Sequence, residues 1–375
     1  MPKLATTGIH GADDIHETSD VIPPISISST FKYSSDPSKL VKSAKNEDGE
    51  ELFTRDLIYS RWAHPNGDRV EAIVGKLTNS YATVYSSGLG AFHAAMVHFN
   101  PKQLCIDKAY HGCLGIADIL TRNYGLKQLS MSDEDLDKLG KGDVVHLETP
   151  VNPESRCYDI KYFADKAHAK GAYLIVDSTF APLQDPFEFG ADLVMHSATK
   201  YFGGHSDLLS GLLLTKSEEV AYKLYADRLH LGTNVGNLES ALLLRSLKTF
   251  ELRVKQQSSS ATKLATFLNS KIGEYPELVK VHHSSLQKDE YVEKQLRGVH
   301  SPTFSIEVSS EEFAKHLPYR LKYFCHATSL GGAESLIEWR CLTDIHAAPT
   351  LLRISVGLED ADDLIEDMAH AFTTK

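Results

Sequence analysis

Short apolar runs alternate with amphipathic stretches through the first two thirds of the chain. Ala82 to Tyr85, Gln103 to Asp107, the run ending at Glu148, Ala172 to Val176, Ala191 to Met195 and Gly211 to Thr215 are each apolar and bounded by turn residues. Runs of that length and boundary predict buried strands. Between them, Val70, Ile73, Val74 and Leu77 recur at helical spacing behind Asn66 or Asp68, either of which can cap the helix. An Ala-rich helix follows Ser86-Ser87-Gly88-Leu89-Gly90. Strand alternating with helix predicts an α/β fold with a mostly parallel, doubly wound sheet. Leu238, Leu242, Leu243 and Leu247 mark a long helix from Gly236 to about Leu268, with a break expected near Ser258 and a bridging place between two domains. Beyond it come a strand in SPTFSIEV, a helix opened by Ser309 with Glu312 at capping-box spacing, a strand in LLRISV and a closing helix from about Asp360. These predict a smaller C-terminal α+β domain. Residues 1–33 read as irregular, with VIPPISISSTF as an extended arm, and residues 34–56 as a solvated loop or short exposed helix. The expected division is 1–58 arm and surface loop, 59–245 large domain, 246–375 small domain.

A chain of 375 residues suits about two domains. The net charge of -11 argues against nucleic acid, which requires clustered Lys and Arg. No apolar run approaches a membrane span. Cys105, Cys113, Cys157, Cys325 and Cys341 are scattered, without a Cys-x-x-Cys pair, which fits a reducing compartment. The N-terminus resembles neither a secretory nor an organelle signal, so a cytoplasmic protein is expected. Among the 18 histidines, His10 and the His282-His283 pair lack metal spacing; no metal is expected, and these are read as surface residues.

The chemistry gathers between Gly171 and Asp207. One predicted strand ends in Asp177, the next in His196, Ser197, Thr199 and Lys200. Parallel strands that finish in such groups place them at the carboxyl edge of the sheet, where α/β proteins bind ligands. A lysine becomes a nucleophile when burial lowers its pKa, Ser197 and Thr199 can donate to a phosphate, and a buried Asp177 needs a cationic partner. Singly, each is an ordinary strand-end residue; jointly they match what pyridoxal phosphate (PLP) requires of a protein. The Gly88-Leu89-Gly90 turn offers backbone N–H groups at a helix N-terminus, a ready anion site. Arg61, beside Tyr59, suits a phosphate. Tyr110, just beyond a strand, can stack on a planar ring, and Asn152 in TPVNP can donate to a ring oxygen. Arg353 interrupts an apolar strand; its anionic partner is either a substrate carboxylate or an internal acid.

These residues resemble a known family, the PLP enzymes of cysteine and methionine metabolism that include the cystathionine γ-synthases, γ-lyases and β-lyases. The resemblance runs over nearly the whole chain, through VIPPISISSTF, YSR, SSGLGA, ETPVNP, LIVDSTFAPL, HSATKYFGGHSD, LLLRSLKTFELR, SLGGAESL and LLRISVGLED in family order. It implies the fold-type I PLP transferase architecture. It implies Lys200 as the lysine that holds the cofactor and shuttles protons, and Asp177 as the partner of the pyridine nitrogen. Ser197 and Thr199, with the N–H groups of Gly88 and Leu89, would form the phosphate cradle. Tyr59 and Arg61 would reach the phosphate of a neighbouring subunit, in a homodimer or homotetramer with shared sites. Tyr110 would stack on the ring and assist proton transfer; Asn152 would meet the ring oxygen; Arg353 with Ser329 and Asn152 would bind the substrate α-carboxylate. The implied reaction makes or breaks the carbon–sulfur bond of cystathionine or a related amino acid, by γ-elimination or γ-replacement. A β-lyase is the alternative, and an aminotransferase or a non-catalytic member the further ones. The chain departs from the pattern at Tyr-His-Gly-Cys 110–113, at Asp177-Ser178, and in a shortened segment between Leu336 and Arg353.

Overall fold

The computed structural model describes residues 2–16, 18–45, 53–54 and 56–374. Among them, seven strands form one sheet: β1 Tyr81–Tyr85, β2 Gln103–Ile106, β3 Lys127–Leu129, β4 Val144–Glu148, β5 Tyr173–Asp177, β6 Leu193–Ser197 and β7 Gly211–Thr215. Their spatial order is β1-β7-β6-β5-β4-β2-β3. β7 runs antiparallel to both of its neighbours and every other pairing is parallel. The apolar runs are continuous because both faces are covered. On β4, β5, β6 and β7, Val145, Leu147, Leu174, Val176, Val194, Leu212 and Leu214 enter one core. The alternating Val144, Ile175, Leu193, Met195 and Leu213 enter another.

A second sheet joins β8 Leu278–His282, β9 Thr303–Val308, β10 Cys325–His326, β11 Leu336–Trp339 and β12 Leu351–Ser355, in the order β10-β11-β12-β9-β8. Only the β10–β11 pair is parallel. Its core is separate, built on Phe304, Ile306, Ile337, Leu352 and Ile354 with Leu264 and Leu268 from the long helix and Leu364 and Met368 from the closing one. This is the mixed α/β architecture expected, a mostly parallel doubly wound sheet beside a smaller α+β unit.

Several local expectations differ from the structure. Residues 1–33 include a helix, Leu4–His10, although Val21 and Ile27 further on are 94% and 83% exposed, as an arm would be. The helix Pro65–Thr78 is capped by neither Asn66 nor Asp68 but by His64, whose Nδ1 accepts from the Gly67 N–H at 3.1 Å. The long helix does not break near Ser258. It parts into Asn237–Leu247 and Phe250–Ser270 at Thr249 (φ -117°, ψ 11°). The buried Arg253 sits at that joint, donating to the Ser246 carbonyl and to the Tyr201 and Phe202 carbonyls. The break is thus filled by a guanidinium from the next turn. Ser310, not Ser309, caps the helix Glu311–Arg320; the Ser309 hydroxyl goes to Glu277. His283 is buried rather than superficial, hydrogen-bonded to the Ser301 carbonyl at 2.8 Å.

Candidate active site

The carboxyl ends of β4, β5 and β6 carry Glu148, Asp177 and Ser197, and the turn after β6 carries Thr199 and Lys200. That turn is held by its own backbone: the Lys200 N–H donates to the Ser197 carbonyl, and the Gly204 N–H to the Lys200 carbonyl at 2.6 Å. Arg253 ties down the two carbonyls that follow. The half-buried Lys200 Nζ donates to Ser329 Oγ at 2.8 Å. Burial first, and then the Arg353 guanidinium, pull its pKa down to about 8, opposed by Glu338. The neutral amine is therefore more populated near neutrality than it is for an ordinary lysine.

Ser329 reaches Lys200 from the smaller sheet's side of the molecule, on a turn whose tightness has a visible cause. Gly331 (φ +82°) lies so close that a Cβ there would stand 2.8 Å from the Tyr201 nitrogen and 2.9 Å from the Lys200 carbonyl carbon. Arg353, on β12, is buried; Nη2 donates to the Ser329 carbonyl at 3.0 Å and Nη1 to Asn152 Oδ1 at 3.1 Å. Lys200, Ser329, Arg353 and Asn152 are thus one connected set drawn from both sheets. The internal acid also exists: Glu338 on β11 pairs with Arg353 at 2.5 Å.

Asp177 is buried, and its Oδ1 accepts from the Thr179 N–H at 3.0 Å and hydroxyl at 2.6 Å. Burial raises its pKa, against those two bonds, and no ion pair reaches it among the described residues. Glu148, its register neighbour, accepts the Tyr110 and Asn152 N–H groups, each at 2.7 Å. Burial and then Asp177 raise the Glu148 pKa as well. Glu148 therefore holds the loops of two predicted site residues. Tyr110 itself is 40% exposed, at the head of the helix His111–Tyr124.

At the helix Gly88–Phe99, the Ser87 hydroxyl takes the Gly90 N–H and the Ser87 carbonyl the Ala91 N–H. Among the described residues the N–H groups of Gly88 and Leu89 meet no acceptor outside the helix, and they stand at the positive end of the helix dipole. A Cβ on Gly88 would stand 3.1 Å from the Ser197 Cβ, a tight contact that brings this turn against the end of β6. Tyr59 and Arg61 are not part of the set. Both are exposed, with Arg61 5.7 Å from the centre of the Tyr59 ring and bonded to the Leu229 carbonyl.

Glu148, Arg253, Glu338 and Arg340 escaped the sequence reading as site-forming groups. Glu148 had the same signal as Asp177, an acid closing an apolar run. The two arginines had none: Arg253 pairs with carbonyls about fifty residues away, and Arg340, buried against Glu338, sits in a segment whose charged residues read as surface chain until the fold encloses them.

An anion seat, a buried carboxyl in want of a cation and an amine of lowered pKa stand together here. A single group that is phosphate, protonated ring and aldehyde would satisfy all three, and pyridoxal phosphate is such a group. The site defines the class, a PLP-dependent enzyme. The model of the family described as Cys/Met metabolism PLP-dependent enzyme matches residues 5–373, and the chain belongs to that family. It is 33% identical to a cystathionine beta-lyase of Lactococcus lactis subsp. cremoris over 99% of each chain. It is 34% identical to a cystathionine gamma-lyase of Bacillus subtilis over 84% of this chain and 88% of the relative. The solved cystathionine gamma-lyase from yeast superposes with a TM-score of 0.85 at 32% identity, over 99% of this chain and 98% of that one. The substrates are amino acids, and among the described residues no helix is long and apolar enough to cross a membrane.

Proposed function

We propose that this enzyme makes or breaks the carbon–sulfur bond of cystathionine or a related sulfur amino acid by γ-elimination or γ-replacement. The observation that carries the reading is the contact of Lys200 Nζ with Ser329, whose carbonyl is in turn held by Arg353. It brings a proton-carrying amine and a carboxylate-binding guanidinium to one place. Both cystathionine β-lyases and γ-lyases are among the relatives, so β-elimination by the same residues is the second reading.

Lys200 would hold the cofactor, with Asp177 on its ring nitrogen. Ser197, Thr199 and the Gly88 and Leu89 N–H groups would face its phosphate, and Tyr110 and Asn152 its ring. Bound PLP supplies an electron sink for the pair left at the substrate Cα. Arg353, with Asn152 and Ser329, orients the amino acid through its α-carboxylate. The Lys200 amine takes the proton from Cα and returns it further along the chain, and Tyr110 assists proton transfer to the leaving sulfur. We assign residues 59–245 to the cofactor-holding domain, 246–375 to the smaller domain and 1–58 to an arm. We also assign a cytoplasmic homodimer or homotetramer in which Tyr59 and Arg61 complete the phosphate site of a neighbouring subunit.

The test is product analysis after adding cystathionine to the purified protein. Cysteine with 2-oxobutyrate and ammonia is expected; homocysteine with pyruvate and ammonia would establish the β-lyase reading instead. Lys200→Ala should remove the visible absorbance of the bound cofactor and lower turnover by about three orders of magnitude or more. An unchanged visible band would overturn the Lys200 assignment.

A further inference from the structure

The Arg353–Glu338 pair is not isolated. Glu338 on β11 lies in register with Arg353 on β12, and Arg340 stands two residues beyond Glu338, at the start of the turn Arg340–Leu342. Both guanidiniums meet the same carboxylate oxygen: Arg353 Nη2 donates to Glu338 Oε2 at 2.5 Å and Arg340 Nη1 at 3.0 Å. The Thr343 hydroxyl donates to Oε1 at 2.6 Å and accepts from Arg340 Nη1 at 3.2 Å. Glu338, Arg340 and Arg353 are all buried, exposed by only 2%, 3% and 5%.

Two cations share the Glu338 carboxylate. The second acid, Asp344, pairs with Arg340 alone, at 3.5 Å and more open to water, and among the described residues Arg340 Nε is buried without a hydrogen-bond partner. Burial works to raise the Glu338 pKa, but Arg353, the Thr343 hydroxyl and Arg340 outweigh it, and Glu338 is held ionised. Both hydrogens of Arg353 Nη2 are already engaged, by the Ser329 carbonyl and by Glu338. A carboxylate arriving at Arg353 therefore meets a second one on the same cation, an arrangement that a low-dielectric site penalises heavily.

We propose that Arg340, with Thr343, is the positioning residue that retains Glu338 when the substrate α-carboxylate takes Arg353. Glu338 then keeps Arg340 as its buried cation and is not left unpaired. This rests on the reading that Arg353 binds the substrate carboxylate. Arg340 lies in the segment between Leu336 and Arg353.

The test uses cofactor-loaded protein and two probes without a sulfur leaving group, L-norvaline and its amide, with dissociation constants from calorimetric titration. Arg340→Met should weaken norvaline by about tenfold or more and the amide by less than about twofold, because only the first brings a carboxylate. Removing the competing acid should remove the need for Arg340. The double variant Glu338→Gln/Arg340→Met should return to within about threefold of the wild type, a coupling that a merely structural arginine would not produce. Arg340→Lys, which keeps the charge, should bind norvaline within about threefold of wild type. Glu338→Gln alone should bind it at least as tightly as wild type, which keeps the idea testable if Arg340→Met does not fold. Unchanged norvaline binding in Arg340→Met, no recovery in the double variant, or weakening by Glu338→Gln would each overturn the proposal. Arg353→Met separates the two levels. If it binds norvaline normally, the reading of Arg353 fails and this inference with it; if it loses norvaline while Arg340→Met does not, only the role of Arg340 fails.

Discussion

Ionisable residues in this chain divide into those whose burial serves the site and those whose burial only costs stability. His146, in the centre of the large sheet, is fully buried with neither ring nitrogen hydrogen-bonded, its ring 4.8 Å from that of Phe92. Burial lowers its pKa to about 4 from 6.5. His196 and His283 are driven the same way, to about 3 and about 4. The sign follows from proton counting. As pH falls through 6.5 the unfolded chain binds protons that the folded chain refuses, so stability is complete above 6.5 and is lost progressively down to about 4. For His146 alone that loss is about 2 kcal/mol between pH 7 and pH 5. His146→Leu should match or exceed the wild type at pH 7 by about 1 kcal/mol, since an unsatisfied polar group is removed, and should lose less on acidification. Urea unfolding at the two pH values measures both; an identical pH dependence in the variant would refute the assignment.

Turns, more than strands, decide how the site is assembled. Gly331 and Gly273 both hold positive φ, +82° and +88°, but only Gly331 lies against other backbone, that of Lys200 and Tyr201. An alanine at either position should cost about 1 kcal/mol through conformational strain. At Gly331 the added carbon must also displace the chain that carries Lys200. Gly331→Ala is therefore expected to weaken PLP binding by about tenfold or more while Gly273→Ala leaves it unchanged. Equilibrium dialysis against the cofactor decides it, and equal affinities in the two variants would count against the close approach as the functional reason for this glycine. The same contrast separates what was legible from what was not. The Ser329-Leu330-Gly331-Gly332 turn was readable as a turn, but its partner lies more than a hundred residues away.

At the scale of the molecule, the exposed Tyr59, Arg61, Val21 and Ile27 lie outside the set around Lys200, as residues meant for a second copy of the chain would. Mixed dimers test this. Arg61→Ala and Lys200→Ala chains should each be inactive alone. If the phosphate site is shared, a one-to-one mixture should regain about a quarter of wild-type activity, because half the dimers are hybrid and each has one intact site. No recovery after verified subunit exchange would place Arg61 in its own chain's site.

By itself the sequence determined the alternation of buried strands and helices, the doubly wound architecture and the strand-end residues from Asp177 to Lys200. Those depend on short-range properties, apolar periodicity and the abrupt change from apolar to ionisable at a strand's end. The smaller sheet was only partly legible, since Leu278–His282 carries Lys280 and His282 among its apolar positions and Leu336–Trp339 is only four residues long with Glu338 inside it. Helix caps slipped by a residue or two, as at Ser310, because neighbouring hydroxyls compete equally until the fold orients them. Tertiary structure alone decided that Glu148 holds the Tyr110 and Asn152 loops, that Arg253 fills the joint between two helices, and that Glu338 stands between Arg340 and Arg353. Each is a pairing of buried charge or hydrogen-bonding capacity between separate elements, and the cost of leaving such groups unpaired is set by where the whole chain excludes water.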